Sequence, residues 1–401
     1  MPTGEIPYRD QLGGTVPSPP GAEAPSTVLA RGPKKRRPLV LIINPGGTRE
    51  RGGMGGMVRY LIEAWAERPD APRALVFDSR GLGSVFFAPF FLAWSLARVV
   101  LRCATDDVAL LHVNMAENTS VLRKGIVVLA GKLLRVPVLL HLHAGLFIDF
   151  YRRLPAPARL FTRWVFRAAD RTVVLGEIWR RMLSEEVGID PRRIAVVYNG
   201  VPPAPPRLPT APGTPCRLLY VGKLRPKKGL RELLHALSSA RLSEAAWTLT
   251  LVGDGARRKY EDLACALGLG ERVRFTGWLE PDAVRRVRAA ADVYVLPSHH
   301  EGLPLGLLEA LSAGLAVVTT RVGALPEILR DDENALLVDR VDATALEEAL
   351  FRVVTDAGLR MRLSSAAHAL YEAQFTMAHF TAAIELQYAL TILSHKSRAF
   401  A

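Results

Sequence analysis

The chain has 401 residues, 49% hydrophobic and 23% charged, and its 52 lysines and arginines against 39 acids give a net charge of +13. That length accommodates two α/β domains with separate cores, and that charge attracts polyanions such as phosphorylated substrates or an anionic membrane surface. No helix-turn-helix, zinc-finger or stacked-aromatic signature points to nucleic acid, and Cys103, Cys216 and Cys265 lie too far apart for a paired zinc motif or a disulfide framework, in keeping with a reducing cytosol.

Residues 1–33 are rich in Pro, Gly and Ser without an apolar core, which predicts a disordered tail and no signal peptide. Lys34, Lys35, Arg36 and Arg37 complete this segment, 1–37, as a cationic block suited either to anionic lipid or to a solvated domain edge. A strand over Leu39–Ile43 follows, then Asn44-Pro45-Gly46-Gly47, the loop Arg51-Gly52-Gly53-Met54-Gly55-Gly56 and a helix from Met57 to Trp65. Strand, glycine-rich turn and helix start favour phosphate, because glycine permits close backbone approach. The spacing departs from G-x-G-x-x-G, which argues against a dinucleotide cofactor.

Gly81 to Ala97 is an uncharged run in which Phe86, Phe87, Phe90, Phe91 and Trp94 crowd together. It is too short and too broken by Pro89 for a transmembrane span of about 20 residues. With Arg80, Arg98 and Arg102 at its flanks it reads as lying in a membrane interface, the alternative being a helix buried under the sheet. A strand over Asp107–Asn114 leads to Arg123 and Lys124, a basic pair placed to meet an acceptor diphosphate or simply to face solvent. The strand from Val138 ends in His141 and His143, alternate positions that share one face, one suited to the core and one to a cleft. Phe147, Phe150, Tyr151, Arg152 and Arg153 repeat the aromatic-plus-basic theme.

Seven prolines in the fourteen residues from Pro202 to Pro215 mark a semi-rigid linker between a domain over 38–201 and one over 216–375. The second alternates strands near 217–221, 247–252, 272–276, 293–296 and 315–319 with helices, the pattern of a parallel sheet. Its first strand ends at Gly222, where Lys223, Arg225, Lys227 and Lys228 gather ahead of a helical pattern from Leu230 to Leu242; ligands bind at that edge of open parallel sheets. The strand near 293–296 runs into Glu301-Gly302-Leu303-Pro304-Leu305-Gly306-Leu307-Leu308-Glu309, with Pro304 suited to the first helical turn. Eight fully helical residues would separate the two carboxylates by about 12 Å. The helix end favours an anion and the flanking carboxylates favour hydroxyls, an order matched by a sugar–diphosphate–ribose ligand. Taken singly, these carboxylates and cations also fit a solvated helix and a basic exposed loop.

Together the residues resemble the retaining nucleotide-sugar glycosyltransferases of family 4, which have the GT-B architecture. The resemblance covers about residues 38–375 and runs through Gly52-Gly53, His143, Asn199-Gly200-Val201, Lys223 with Lys228, Val252-Gly253-Asp254-Gly255, Phe275-Thr276-Gly277, Glu301 with Glu309, and Gly323 with Glu327. It implies an α/β fold of two Rossmann-like domains whose parallel sheets face across a cleft, with acceptor binding in 38–201, nucleotide-sugar binding in 216–375 and residues 376–401 crossing back as a helix to the first domain. It implies catalytic roles for His143, Lys223, Lys228 and Glu301, and donor contacts from Gly52, Gly53, Gly302, Leu303, Leu305 and Glu309. The implied reaction moves a hexose from a UDP- or GDP-sugar to a glycan or polyprenyl-diphosphate-linked acceptor, without cofactor or metal. The basic, interfacial character of the chain, joined to a sugar-transfer site, adds an expected setting: exopolysaccharide or lipopolysaccharide assembly on a lipid-linked carrier, in the cytoplasm and peripheral at the inner face of the membrane.

The sequence departs from the family in several places. Lys223 stands where arginine is common and offers a point charge in place of a bidentate fork. Leu303-Pro304 stands where Phe-Gly is common, Ala144 where glycine often follows the histidine, and Pro202 where an acid often follows Asn-Gly-Val. A catalytically silent nucleotide-sugar-binding scaffold and a sugar-nucleotide epimerase are the alternatives. The first should have lost Glu301, Lys228 or His143, and the second has no need of an aromatic-basic surface on the first domain.

Overall fold

A computed structural model describes residues 37–47, 52–81, 87–143, 145–205, 213–339 and 343–399. The tail with Lys34, Lys35 and Arg36, Phe86, Ala144, and residues 206–212 of the proline segment lie outside the described residues.

Two six-stranded sheets organise the chain. The first comprises β1 (Leu39–Asn44), β2 (Arg73–Asp78), β3 (Val108–Met115), β4 (Val138–Leu142), β5 (Arg171–Val174) and β6 (Ile194–Val196), in the order β2-β1-β3-β4-β5-β6. The second comprises β7 (Cys216–Val221), β8 (Trp247–Val252), β9 (Val273–Gly277), β10 (Val293–Leu296), β11 (Ala316–Thr320) and β12 (Leu336–Val338), in the order β12-β11-β10-β7-β8-β9. Every pairing is parallel. The reason is visible in β1, β4, β10 and β11, each buried along its whole length, since strands covered by helices on both faces read as continuous apolar runs.

In each sheet the strand order reverses once, between β1 and β3 and between β7 and β10. Such switch points open a crevice beyond the carboxyl ends of the strands. The loops that emerge there are the glycine-rich loop after β1, the basic loop after β7 and the Glu301 loop after β10, so topology gathers segments far apart in sequence.

Two faces of the first sheet carry different helices. On the His112 side lies the helix Met377–Ala399, whose Tyr388 hydroxyl is 2.7 Å from His112 Nδ1. Glu385 of the same helix accepts from Trp65 Nε1 at 2.8 Å and pairs with Arg68, tying it to the helix Gly53–Ala66. On the Leu111 side lies the helix Thr119–Leu133, so close that a Cβ on Gly131 would sit 2.7 Å from Leu111 Cδ1, and one on Gly125 2.7 Å from Val165 of the helix Ala156–Ala168.

Several local expectations shift. The first helix starts at Gly53, ahead of Met57. The pattern from Leu230 to Leu242 is broken: one helix ends at Leu237, and Ser239 caps a second, Ala240–Ser243, through Oγ to the Leu242 N–H, the local competition that serine offers a helix. Pro304 is the N-cap of the helix Leu305–Ser312 and lies before its first turn. Residues 301–304 are therefore non-helical, and the 12 Å helical spacing of the two glutamates does not apply. The part of the aromatic run from Ala88 onward belongs to the helix Ala88–Thr105, a surface helix with Ser95 and Val99 buried, which excludes a helix buried under the sheet.

Candidate active site

The basic loop after β7 is shaped by close backbone crossings. Gly253 has φ +145° and a Cβ there would lie 1.9 Å from the Gly222 carbonyl oxygen, so the loops after β7 and β8 can touch only through glycine. A single 3-10 turn, Pro226–Lys228, then presents Lys228. Its Nζ lies 2.5 Å from Glu301 Oε1, a charge-assisted contact between largely buried groups.

Glu301 is held from both sides by backbone. Gly323, at φ +58°, comes so near that a Cβ would lie 2.2 Å from the Glu301 carbonyl oxygen, and one on Gly145 would lie 2.6 Å from the Glu301 carbonyl carbon. The Gly302 carbonyl accepts from the Ala324 N–H at 3.3 Å and the Leu303 carbonyl from Asn199 Nδ2 at 3.4 Å. The threonines of β11 support the loop from below, Thr319 and Thr320 donating to the carbonyls of Leu296 and Ser298.

Glu309 lies one helix turn further along, between the two domains. Its Oε1 accepts from the Tyr60 hydroxyl at 2.6 Å, and its Oε2 pairs with Arg288. Arg288 is buried. Burial, then the charge of Glu309, pushes the Tyr60 phenol far above its usual range, which keeps the hydroxyl a donor. Leu305 meets Gly56 of the same first-domain helix, where a Cβ would be 3.0 Å from Leu305 Cδ1.

On the first-domain side, His143 Nε2 donates to Asn114 Oδ1 at 2.8 Å and its ring lies against that of His141, tilted by 37° at a centroid distance of 3.9 Å. His141 Nδ1 is in turn 3.1 Å from His112 Nε2, and His112 reaches Tyr388. Burial pushes His112 down to about 3, burial and then the neighbouring His112 push His143 down to about 3, and burial and then both neighbouring histidines hold His141 well below its usual range. All three rings are therefore neutral in the fold. An unfolded histidine titrates near 6.5, so below that pH the unfolded chain binds more protons and stability falls. His112 alone contributes about 2 kcal/mol at pH 5 by this linkage. Urea unfolding is expected to show full stability above pH 7 and a decline from about pH 6.5 downward, flattened in a His112→Asn variant; an equally steep decline in that variant would assign the protons elsewhere.

Two adjoining cavities, of about 510 and about 500 Å³, occupy the cleft. The first holds Glu309, Arg288, Tyr60 and Trp278, the second His143, Glu301, Lys228 and Asn199. Gly52, Gly222 and Lys223 line both, so the two are continuous at a waist of two glycines and a cation.

Comparison with known proteins agrees with this geometry. Residues 51–204 match the family model described as Glycosyltransferase Family 4, and residues 208–369 match that described as Glycosyl transferases group 1. Sucrose-phosphate synthase from Thermosynechococcus elongatus superposes with a TM-score of 0.72 over 91% of this chain and 100% of that one at 21% identity. The chain belongs to the group 1 GT-B glycosyltransferases. HepE of Anabaena in complex with UDP-glucose superposes on this GT-B chain with a TM-score of 0.67 at 19% identity, over 89% and 99% of the two chains. The lipopolysaccharide core biosynthesis glycosyltransferase LpsE of Rhizobium meliloti is 38% identical over 160 residues, 40% of this chain and 45% of that one. The chain spans about half the length of the curated relatives it matches.

In this group 1 glycosyltransferase the structure places His143, Lys223, Lys228, Glu301, Gly52, Gly53, Gly302, Leu303 and Leu305 around one cavity and Glu309 at the other. Lys223 is exposed at the waist, while Leu303 and Leu305, which also line the cavity, are buried. The basic pair does not reach the cleft together. Lys124 is fully buried against Ser79, because its place on the helix Thr119–Leu133 turns it toward the end of β2. Tyr60, Arg288 and Asn114 were not legible as site residues. Arg288 sits in a helix of many arginines, and only its burial marks it. Glu327 links the domains, accepting from the N–H groups of Glu177 and Ile178 at 2.7 and 2.9 Å.

Proposed function

We propose that this glycosyltransferase transfers a hexose, with retention of configuration, from a UDP- or GDP-sugar to a glycan or lipid-linked acceptor in polysaccharide assembly. The observation that carries the reading is the order of groups along the cleft: Glu309 with Arg288 and Tyr60 at one end, glycines and Lys223 at the waist, Lys228, Glu301 and His143 at the other. That is the order ribose, diphosphate, sugar. The UDP-glucose bound in HepE and the lipopolysaccharide core role in the name of LpsE support the donor and pathway class.

In this reading Glu309 accepts from ribose hydroxyls and Glu301 from a sugar hydroxyl. Lys223 and Lys228 meet the diphosphate, and their charge stabilises it as the bond from the anomeric carbon to the phosphate oxygen breaks. The bonding pair leaves with the phosphate, and an oxocarbenium-like centre develops. The acceptor oxygen attacks from the face the phosphate leaves, and its proton passes to that phosphate. His143, neutral and fixed by Asn114, borders the reacting carbon. Two lysines neutralise the diphosphate, so transfer proceeds without a metal and persists in chelator.

The test is nucleotide release and thermal shift with UDP-, GDP- and ADP-sugars, using Glu309→Gln as control. Glutamine keeps a partner for Tyr60 and Arg288, whereas Glu309→Ala leaves Arg288 buried and unpaired, at about 3 kcal/mol. Glu309→Gln is expected to weaken the responding donor about 10- to 100-fold. Equal donor affinity in variant and parent would overturn the role of Glu309, and a folded parent that answers no donor would favour a silent scaffold.

A further inference from the structure

Three helices lie side by side on the outer face of the first sheet: Ala88–Thr105, Thr119–Leu133 and Ala156–Ala168. None contains an aspartate or glutamate, and each carries at least two lysines or arginines. Every other described helix of eight residues or more has at least one acid. The acid-free helices are thus neighbours, and they form one face.

The same face exposes large apolar side chains. Phe87, Phe90, Trp94 and Leu101 follow one another at three-, four- and seven-residue steps, which aligns them as an outward stripe. Phe90 is 74% and Trp94 67% exposed. Leu133 at 81% on the second helix, and Leu160 at 63% with Trp164 on the third, continue the surface. Arg98 stands within the stripe and lies 5.5 Å from the Phe77 ring centre, while Arg159, Arg163 and Arg167 line the third helix. Exposed apolar area of this extent marks an interaction surface.

We propose that this face docks on an anionic lipid bilayer. Tryptophan, phenylalanine and leucine interleaved with arginine on helices lying in a plane is the chemistry of the membrane interface, and the absence of acids removes the repulsion that anionic headgroups would impose. No described helix is long and apolar enough to cross a membrane, so contact is in-plane. A second copy of the chain is the competing occupant, and charge argues against it: a two-fold contact sets a patch against itself, here cation against cation. The helix Thr119–Leu133 begins two residues beyond Glu117, which lines the cleft, so the docked face adjoins the cleft mouth. The proposal does not depend on the donor assigned above.

The test is co-sedimentation of the full chain with vesicles of phosphatidylcholine alone or with about 30 mol % phosphatidylglycerol. Binding is expected to be at least tenfold (~10×) tighter to the anionic vesicles and to weaken as salt rises from about 0.1 to about 0.5 M. The double variant Phe90→Ser, Trp94→Ser should lose about tenfold or more in vesicle affinity with an unchanged melting temperature, since both side chains are exposed. Equal or absent binding to the two vesicle types would overturn the proposal. So would vesicle binding that survives in the double variant, which moves the contact to another region, or self-association of the parent that the double variant abolishes.

Discussion

Replacing Glu301 by alanine is expected to lower kcat/KM for sugar transfer by about 10²- to 10³-fold, most of it in kcat, while the protein stays folded. The magnitude is that of one preorganised group acting on a transition state, about 3–4 kcal/mol. Glu301 is well placed for this because its backbone is clamped by Gly145 and Gly323 and its carboxylate is already set by Lys228, so little reorganisation accompanies the reaction. The loss is twofold in origin: the sugar hydroxyl loses its acceptor, and Lys228 loses the anion that aims it. Lys228 can swing toward the open cavity, so stability should change far less than activity. Glu301→Gln keeps an acceptor without the charge and should fall between parent and alanine variant. Initial rates with the responding donor decide the matter, and an alanine variant within about twofold of the parent would remove Glu301 from the mechanism.

Gly323→Ala, by contrast, is expected to lower stability and activity together. The position combines two independent penalties. A left-handed φ of +58° costs an L-residue about 1–2 kcal/mol, and the new Cβ would lie 2.2 Å from the Glu301 carbonyl oxygen and 2.8 Å from that of Gly302. The same peptide is also crowded by Gly145, where a Cβ would lie 2.6 Å from the Glu301 carbonyl carbon, which limits how far it can retreat. Overpacking of this kind costs about 1–3 kcal/mol, for a total of about 2–5 kcal/mol. In a chain of this size the melting temperature should fall by about 2–6 °C, and the displaced Glu301 should reduce transfer about 10-fold or more. Calorimetry and rates on the same preparation test both. Retention of parental stability would show that the Gly323 turn is not under the constraint its backbone displays.

The two variants separate chemistry from support. Glu301→Ala should show a large rate loss at nearly constant melting temperature, and Gly323→Ala a joint loss. The Lys228 pairing explains the first, the interlocked glycines the second.

Much of this is legible in the chain itself. The apolar runs at Leu39–Ile43, Val138–Leu142 and Val293–Leu296 announce buried parallel strands because burial on both faces leaves no polar alternation. Gly222, Gly253 and Gly323 stand at strand ends where the backbone must turn sharply or another strand's loop passes, a local requirement that residue type alone reports. The cluster at Lys223–Lys228 and the Glu301–Glu309 segment could be seen as charge at the ends of strands. Other elements escaped for local reasons: the three-residue strands Ile194–Val196 and Leu336–Val338 are too short for a period to register, and Ser238-Ser239 breaks a helix that hydrophobic spacing alone would have continued.

What the sequence determined by itself was therefore everything set by neighbours along the chain: strand and helix periods, glycine turns, the proline-rich segment, and charge at strand ends. Only the tertiary structure decided which of these meet. Lys228 reaches Glu301 because β7 lies beside β10, Arg288 and Tyr60 meet Glu309 because helices of two domains face across the cleft, and Lys124 is buried because its helix turns it toward Ser79. The acid-free face likewise exists only where three helices, separated by other elements in the chain, lie side by side. The physical reason is common to all: periodicity and turn chemistry act over a few residues, whereas these partners are chosen by strand order and helix packing, which no spacing in the chain records.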